Sequence, residues 1–399
     1  MARQTLLFGG DFSIPSSDPN LTPAKLCEGV TELLDKADFR MFQLEEAYLK
    51  APVGNSVEGN LVKSLDPVKN RVDLVTLSGN HFYDFKETGV QDTIAWCEEN
   101  GIAHAGGGMN EAEARKPAFV EKGGVKVGVL AYNAVGGKQQ FAGPDQAGTA
   151  PINFFRAFTP VESISWEKQR EEKQEFDNWR FKEPMHFDAD FMGENYVDPS
   201  ALLRMAEEIQ QAKAQCDILI VYFHKGYVHK PVLVNDWEKL YAHIAIDNGA
   251  DAVMGSHSHV SHGFEIYKGK PIYHGLNNFV MYTPQMSPNF KGKVHGDAHN
   301  ADWVKQRIAR FGFVPDPEYP TYPFQPESIY CPVAKLIIED GKVVSSRVVF
   351  LLTEKSGIPY VHGQGKVGQE IFDYFQRITT EAGLNVKLAW DGDEAVLTE

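Results

Sequence analysis

The sequence predicts an α/β protein built in layers. Three observations point there. Strand-like apolar runs alternate with helical patterns along most of the 399 residues. Runs such as Val72–Leu77 and Asp217–Phe223 read as buried strands. Strand after strand also stops at Asp, Glu, Asn or His, at the sheet edge where open α/β folds place ligands.

In chain order, Thr5–Phe8 is a strand that ends at Gly9-Gly10-Asp11. Thr22-Pro23 opens a helix, with Thr as N-cap and Pro in the first turn, and Leu26, Val30, Leu33 and Leu34 fall on one face. Phe39–Leu44 is a second strand stopping at Glu45-Glu46, and Val72–Leu77 a third, followed by Ser78-Gly79-Asn80-His81. Thr88–Asn100 is helical and closes on Gly101. Val125–Tyr132 is a strand. Residues 136–197 break the rhythm with Gly and Pro, and their charged, aromatic stretch Trp166–Tyr196 reads either as a solvated helix and loop or as a lid. Regularity returns with helix Pro199–Ala214, strand Asp217–Phe223 ending at His224, helix Trp237–Asn248, and strand Ala252–Met254 leading into Gly255-Ser256-His257-Ser258-His259. Phe264–His274 reads as a hairpin about Lys268-Gly269. Residues 282–331 form a second irregular insertion. Val333–Ile338 and Val343–Leu352 close a hairpin through Asp340-Gly341, and Val367–Ala382 is a last helix. Without repeats or a dividing linker, residues 1–355 read as one domain and 356–399 as a C-terminal helical extension packed on it.

Composition narrows the function. With 43% hydrophobic and 23% charged residues the chain can bury a large core. Its net charge of −15 (39 basic against 54 acidic residues) argues against nucleic acid or an anionic membrane as partner and suits carboxylates committed to a cation. Cys27, Cys97, Cys216 and Cys331 form no CxxC pair, so neither a disulfide framework nor a thiolate zinc site is expected. The N-terminal apolar run is too short for a signal peptide, and no stretch approaches the ~18 apolar residues of a spanning helix. The expectation is a cytoplasmic protein without a membrane anchor; nothing in the sequence specifies an oligomeric state.

Five strand ends carry Asp11, Glu45, Asn80-His81, His224 and His257-x-His259. Each alone has an ordinary explanation: a helix cap, a solvated carboxylate, a satisfied core histidine. Together, carboxylate, amide and imidazole groups at one sheet edge suit a divalent ion such as Mn²⁺, Zn²⁺, Fe²⁺ or Co²⁺.

The order Gly10-Asp11, Leu44-Glu45, Gly79-Asn80-His81, His224-Lys225-Gly226 and Gly255-x-His257-x-His259 resembles the metallophosphatase (calcineurin-like) superfamily. Asn80-His81-x-x-Asp84, Glu265-x-Tyr267-Lys268-Gly269-Lys270-Pro271-Ile272-Tyr273 and Leu276-Asn277-Asn278-Phe279 are similar to its CapA branch, named for poly-γ-glutamate capsule biosynthesis. The likeness spans roughly residues 5–353, apart from the two insertions. It implies a four-layer α/β/β/α sandwich of the metallo-dependent phosphatase type. It also implies one or two ions: Asp11 and His259 on the first, Glu45 bridging, and Asn80, His224 and His257 on the second. His81 would be the general acid, oriented by Asp84. One departure stands out: the superfamily's Asp-x-His is Asp11-Phe12-Ser13 here. Asp297-x-His299 has the missing spacing, but in an irregular loop, where it reads as coincidence.

Lys225, where the branch usually has Trp, reads either as a cation for a substrate carboxylate or phosphate or as a solvated lysine. His229 reads as a substrate contact or, more simply, as a surface-loop histidine. Lys305, Arg307 and Arg310 suggest an anion-recognising helix or a charged solvent face. The function expected first is a metal-dependent hydrolase using metal-activated water on an anionic small-molecule or peptide-like amide, by family analogy γ-glutamyl, with the insertions shaping the pocket. The alternatives are a phosphoesterase, a metal-assisted peptide or amino-acid epimerase, and a non-enzymatic capsule-biosynthesis component.

Overall fold

A computed structural model describes residues 3–14, 21–52, 60–152, 154–160, 191–283, 301–316 and 324–399. Two sheets organise the chain. The ten-stranded sheet runs Lys387–Asp391, Glu394–Thr398, Lys342–Thr353, Tyr330–Glu339, Gln4–Ser13, Phe39–Leu44, Leu74–Thr76, Ala103–Ala105, with Asn278–Met281 and Pro359–His362 paired to its sides. The six-stranded sheet runs His262–Tyr267, Lys270–Gly275, Ala252–Ser256, Ile218–His224, Val125–Asn133, Ala118–Lys122. The strands that carry the predicted site residues are parallel to their neighbours on the site side: Gln4–Ser13 to Phe39–Leu44, and Ile218–His224 to Ala252–Ser256. Parallel pairing sends their carboxyl ends to one edge.

The two-residue period of a strand explains the core. In Ile218–His224, the side chains of Ile218, Ile220 and Tyr222 join Leu6, Phe8, Phe39 and Met41 of the ten-stranded sheet in one apolar cluster. Leu219, Val221 and Phe223, pointing the other way, pack with Met205, Ile209, Tyr241 and Ala245 of helices Pro199–Lys213 and Asp236–Asp247. Leu7, Phe12, Phe42 and Val75 face Val30, Leu34, Val90 and Trp96, again from helices. Burial of each such side chain contributes roughly 1.5–3 kcal/mol, so strands sheathed on both faces hold their ends rigidly.

Local signals hold where they are strong. Thr22 accepts from the Lys25 amide at 3.3 Å with Pro23 in the first turn, as expected, although the helix breaks at Cys27 into two segments. Lys268-Gly269 and Asp340-Gly341 have positive φ at both residues (51° and 74°; 50° and 72°), as type I′ hairpins require.

Two expectations need correction. Residues 356–399 are not only helical: strand Pro359–His362 and hairpin Lys387–Thr398 extend the ten-stranded sheet. Helix Lys366–Glu381 sinks Ile371, Phe375 and Ile378 into the core shared by the sheets. Residues 136–197 include the paired strands Phe154–Pro160 and Phe191–Val197, and Trp166–Tyr196, read as a lid or a loop, lies largely outside the described residues, as does Asp297-x-His299. The four cysteines are free, three of them buried. Among the described residues no helix is long and apolar enough to cross a membrane.

Candidate metal centre

Close backbone approach assembles the carboxylate side. Asp11 lies in Gln4–Ser13, Glu45 follows Phe39–Leu44, and Asn80 lies beyond Leu74–Thr76. A Cβ on Gly10 would stand 1.9 Å from the Asn277 carbonyl oxygen, and one on Gly79 2.2 Å from that of Glu45. Only glycine at these two positions lets the segments come this close. The Asp11 amide then donates to Asn277 O at 2.8 Å.

The six-stranded sheet brings the imidazoles. His224 ends its strand, and His257 and His259 follow Ala252–Ser256 with φ of 91° and 48°. Left-handed backbone at two non-glycine residues is strain of the kind held at functional sites.

The two sets meet. The His257 amide donates to Asp11 Oδ2 at 3.0 Å, and His224 Nδ1 lies 3.6 Å from Asp11 Oδ1. His224 Nε2 is 2.8 Å from Asn80 Oδ1 and 3.9 Å from Glu45 Oε1. His259 Nε2 is 3.2 Å from Glu45 Oε1, and its Nδ1 is 2.8 Å from Asn278 Oδ1. Among the described residues, Glu45, His257 and His259 offer ligand atoms all within 4.8 Å of one another, a group that crosses the two ligand sets implied by the family resemblance. The exposure of Asp11, Glu45, Asn80, His224, His257 and His259 does not exceed 8%.

Electrostatics show what the cluster lacks. Burial, aided by Glu45, pushes the Asp11 carboxyl up to about 7. Burial alone would also raise Glu45, but His259 outweighs it and holds Glu45 near 2. Burial drives His224 down to about 3, leaving a neutral ring. Burial opposes a charge on His259 too, yet Glu45 raises that ring above its ordinary value. Asp11 Oδ1 accepts no well-formed hydrogen bond, and Glu45 Oε1 has the ion contact with His259 in place of one. Buried carboxylate oxygens so poorly satisfied, beside imidazoles, are the donor set a divalent cation completes.

His81 stands apart from these six. Its Nδ1 lies 2.6 Å from Asp84 Oδ2 and its side chain is 32% exposed. Burial opposes its charge, but the hydrogen bond to Asp84 outweighs that and raises the ring to about 9. Ser13, where the superfamily has histidine, supplies no imidazole, and the next residue's amide, that of Ile14, donates to the Tyr48 phenol at 3.1 Å.

Lys225 is a correction. It is neither solvated nor directed to a substrate: its Nζ forms an ion pair with Glu238 Oε2 at 2.8 Å, with both side chains fully buried. A lysine placed in the sheet edge must find a carboxylate, and Glu238 also accepts from the Asn235 amide at 3.0 Å as the far half of a capping box. His229 is not a surface-loop histidine either. It is 4% exposed, with its ring centroid 6.3 Å from that of His259. Lys305 reaches Asp302 at an exposed site, whereas Arg307 turns inward to His229. The sequence reading missed Asn278 and Phe324, which stacks on His259 at 4.5 Å. Asn278 sat within a quoted motif, but Phe324 carries no such signal.

Comparison with known proteins gives the family. The model of the family described as bacterial capsule synthesis protein PGA_cap matches residues 5–283. The chain is 25% identical over 206 residues to the PGA biosynthesis protein CapA of Bacillus subtilis (strain 168), covering 51% of this chain and 41% of that protein. It is 23% identical over 210 residues to the capsule biosynthesis protein CapA of Bacillus anthracis, covering 52% and 39%. It is 28% identical over 217 residues to a probable polyglutamine synthesis accessory protein of Mycobacterium tuberculosis (strain CDC 1551 / Oshkosh), covering 53% and 45%. The matches thus span less than half the length of these relatives. A solved structure of a hypothetical protein from Thermus thermophilus aligns at a TM-score of 0.42 with 16% identity, covering 90% of this chain and 98% of that one, a likeness that carries no argument here. The family match takes in the strand ends bearing Asp11, Glu45, Asn80, His224, His257 and His259, and the chain belongs to the bacterial capsule synthesis protein family PGA_cap.

Proposed function

We propose that the chain is a metal-dependent hydrolase that cleaves an amide bond in a small, anionic, peptide-like substrate, γ-glutamyl compounds foremost. The observation that carries this is the buried meeting of Asp11 and Glu45 with His224, His257 and His259. Asp11 and His259 would hold one ion and Asn80, His224 and His257 a second, with Glu45 serving both where two are bound. Bound there, Mn²⁺, Zn²⁺, Fe²⁺ or Co²⁺ would polarise a carbonyl oxygen and acidify water.

The chain's own residues do the rest. His81 donates the proton to the leaving nitrogen, a role its partly exposed ring suits better than the buried rings do. Asp84 fixes its Nδ1–H, which leaves Nε2 for the substrate. Gln140 donates to the Asn80 carbonyl at 2.7 Å and so ties the start of the first insertion to the site. Helices on the outer faces of two sheets that share a core support the four-layer sandwich of the metallo-dependent phosphatase type, with residues 356–399 built into the same sheet and core. Free, scattered cysteines fit a reducing, cytoplasmic setting.

A second reading, a non-enzymatic component of capsule biosynthesis, is favoured by a relative named as an accessory protein. One assay separates the readings. Protein stripped with a chelator and reloaded with Mn²⁺ or Zn²⁺ is offered γ-glutamyl amides, dipeptide amides and bis-p-nitrophenyl phosphate. Metal-dependent amide turnover is expected, lowered on the order of 10²–10⁴-fold by His81→Gln. Turnover of the phosphodiester alone would make the protein a phosphoesterase. No turnover on any member of the panel would leave the accessory role.

A further inference from the structure

The chain changes sheets beside His259. Strand Lys270–Gly275 belongs to the six-stranded sheet and strand Asn278–Met281 to the ten-stranded one, so only Leu276 and Asn277 lie between them. Backbone hydrogen bonds clamp this crossing at both ends. The Leu276 amide donates to Gly255 O at 2.7 Å, just before the His257–His259 segment, and Asn277 O accepts from the Asp11 amide at 2.8 Å. Asn277 takes a left-handed φ of 54°, a conformation asparagine tolerates better than most residues. Its side-chain amide donates to Ser328 O at 2.9 Å and Tyr330 O at 3.1 Å. The next residue, Asn278, is thereby delivered in register opposite Asp11.

Asn278 acts on His259 from that place. Its Oδ1 lies 2.8 Å from His259 Nδ1, and both residues are buried. A carbonyl oxygen only accepts, so the ring carries a proton on Nδ1 and turns Nε2 to Glu45 Oε1 at 3.2 Å. The reversed amide would set its NH₂ against Nδ1 and force the ring proton onto Nε2, the nitrogen beside the acids. Phe324 stacks on the same ring at 4.5 Å and 17°, which sets its plane. The far end of the amide shows that packing does not account for an asparagine here. Asn278 Nδ2 is buried with no hydrogen-bond partner among the described residues. An unpaired buried donor is costly, and an apolar side chain of similar size would avoid that cost.

We infer that Asn278 is a positioning residue of the metal centre: its carbonyl oxygen keeps the His259 proton on Nδ1 and so presents Nε2 as a bare lone pair to a divalent ion shared with Asp11. The inference rests on the metal-dependent reading above and adds to it the group that orients one ligand. Outer partners of this kind fix the orientation of a ligating ring and strengthen it as a donor.

The test is calorimetric titration of the chelator-stripped full chain with Zn²⁺, for wild type and two variants, with the metal-free melting temperatures as a check on folding. Asn278→Leu keeps the bulk and removes the acceptor, and its affinity should fall roughly tenfold to hundredfold. Asn278→Asp keeps an acceptor oxygen at the same reach and should bind at least as tightly as wild type, a rescue that a purely structural role would not give. Nitrogen-15 NMR of zinc-loaded wild type reads the same point without any variant: His259 should carry its proton on Nδ1 and bind through Nε2. Wild-type affinity in Asn278→Leu, equal losses in both variants, or a His259 ring protonated on Nε2 would overturn the inference. Affinity that depends on Asn278 without turnover of any amide defeats the hydrolase reading alone; amide turnover in wild type with zinc affinity indifferent to Asn278 defeats the inference alone. A wild type that binds no zinc overturns both.

Discussion

The two sheets meet at one edge with opposite chemistries. The ten-stranded sheet presents Asp11, Glu45 and Asn80; the six-stranded sheet presents His224, His257 and His259. The imidazole side is braced largely from within, with Asn80 as the hydrogen-bond partner of His224 from across the edge. His224 sits between Ser256 Oγ at 3.0 Å and Asn80 Oδ1 at 2.8 Å, with the Lys225–Glu238 pair buried behind it. The carboxylate side depends on its opposite: the His257 amide serves Asp11 and the His259 ring serves Glu45. The difference teaches that neither sheet holds a complete site, and that the unmet electrostatic demand lies with the acids.

If the imidazole side is the braced one, cutting its brace has the largest effect on folding. Lys225→Met leaves the buried Glu238 charge without its cation, and breaking such a pair destabilises by about 3–5 kcal/mol. Urea denaturation of Lys225→Met, Glu238→Gln and the double variant measures it. The double should recover most of the loss, and a single-variant loss below about 1 kcal/mol would remove the brace from the account.

A smaller effect sharpens the same contrast through pH. Burial would raise Glu238, but Lys225 outweighs it and holds the group near 2; Glu265, against the same burial, is held near 2 by its hydrogen bond from His274. Carboxyls depressed in the fold contribute stability that is complete above their unfolded value near 4.3 and is lost as pH falls towards 2. Thermal melts between pH 5 and 2.5 should therefore decline more steeply for wild type than for the Lys225→Met, Glu238→Gln double variant. Parallel curves would contradict the assignment.

What was legible in the sequence follows the same division. The six ligand candidates sit at the ends of strands whose apolar runs are strong one-dimensional signals, and the fold gathers all six. Their convergence was readable because parallel strands share a carboxyl edge. Long-range partners were not. Lys225 follows His224 in a loop-like sequence, and nothing local marks Glu238, thirteen residues on and already serving as a helix cap, as its counter-ion. Phe324 and Arg307 reach the site from the second insertion, where no apolar period points to a target. The strands Pro359–His362 and Lys387–Thr398 were missed because they are short and partly exposed, and their order comes from pairing with Lys342–Thr353 and with each other. Helix Lys366–Glu381 was found because its apolar face repeats at helical spacing.

The central claim is that the acids at this edge are buried to hold a divalent ion. Its most direct test is metal content by plasma emission spectroscopy, after chelation, reloading with Mn²⁺ or Zn²⁺ and dialysis, paired with the melting temperature of the metal-free protein. Wild type should retain one or two equivalents. Asp11→Asn, which removes a buried and poorly satisfied carboxylate, should retain less metal while its metal-free form melts no lower than wild type. A wild-type protein that holds no metal, or an Asp11→Asn variant that holds as much as wild type, would contradict the account.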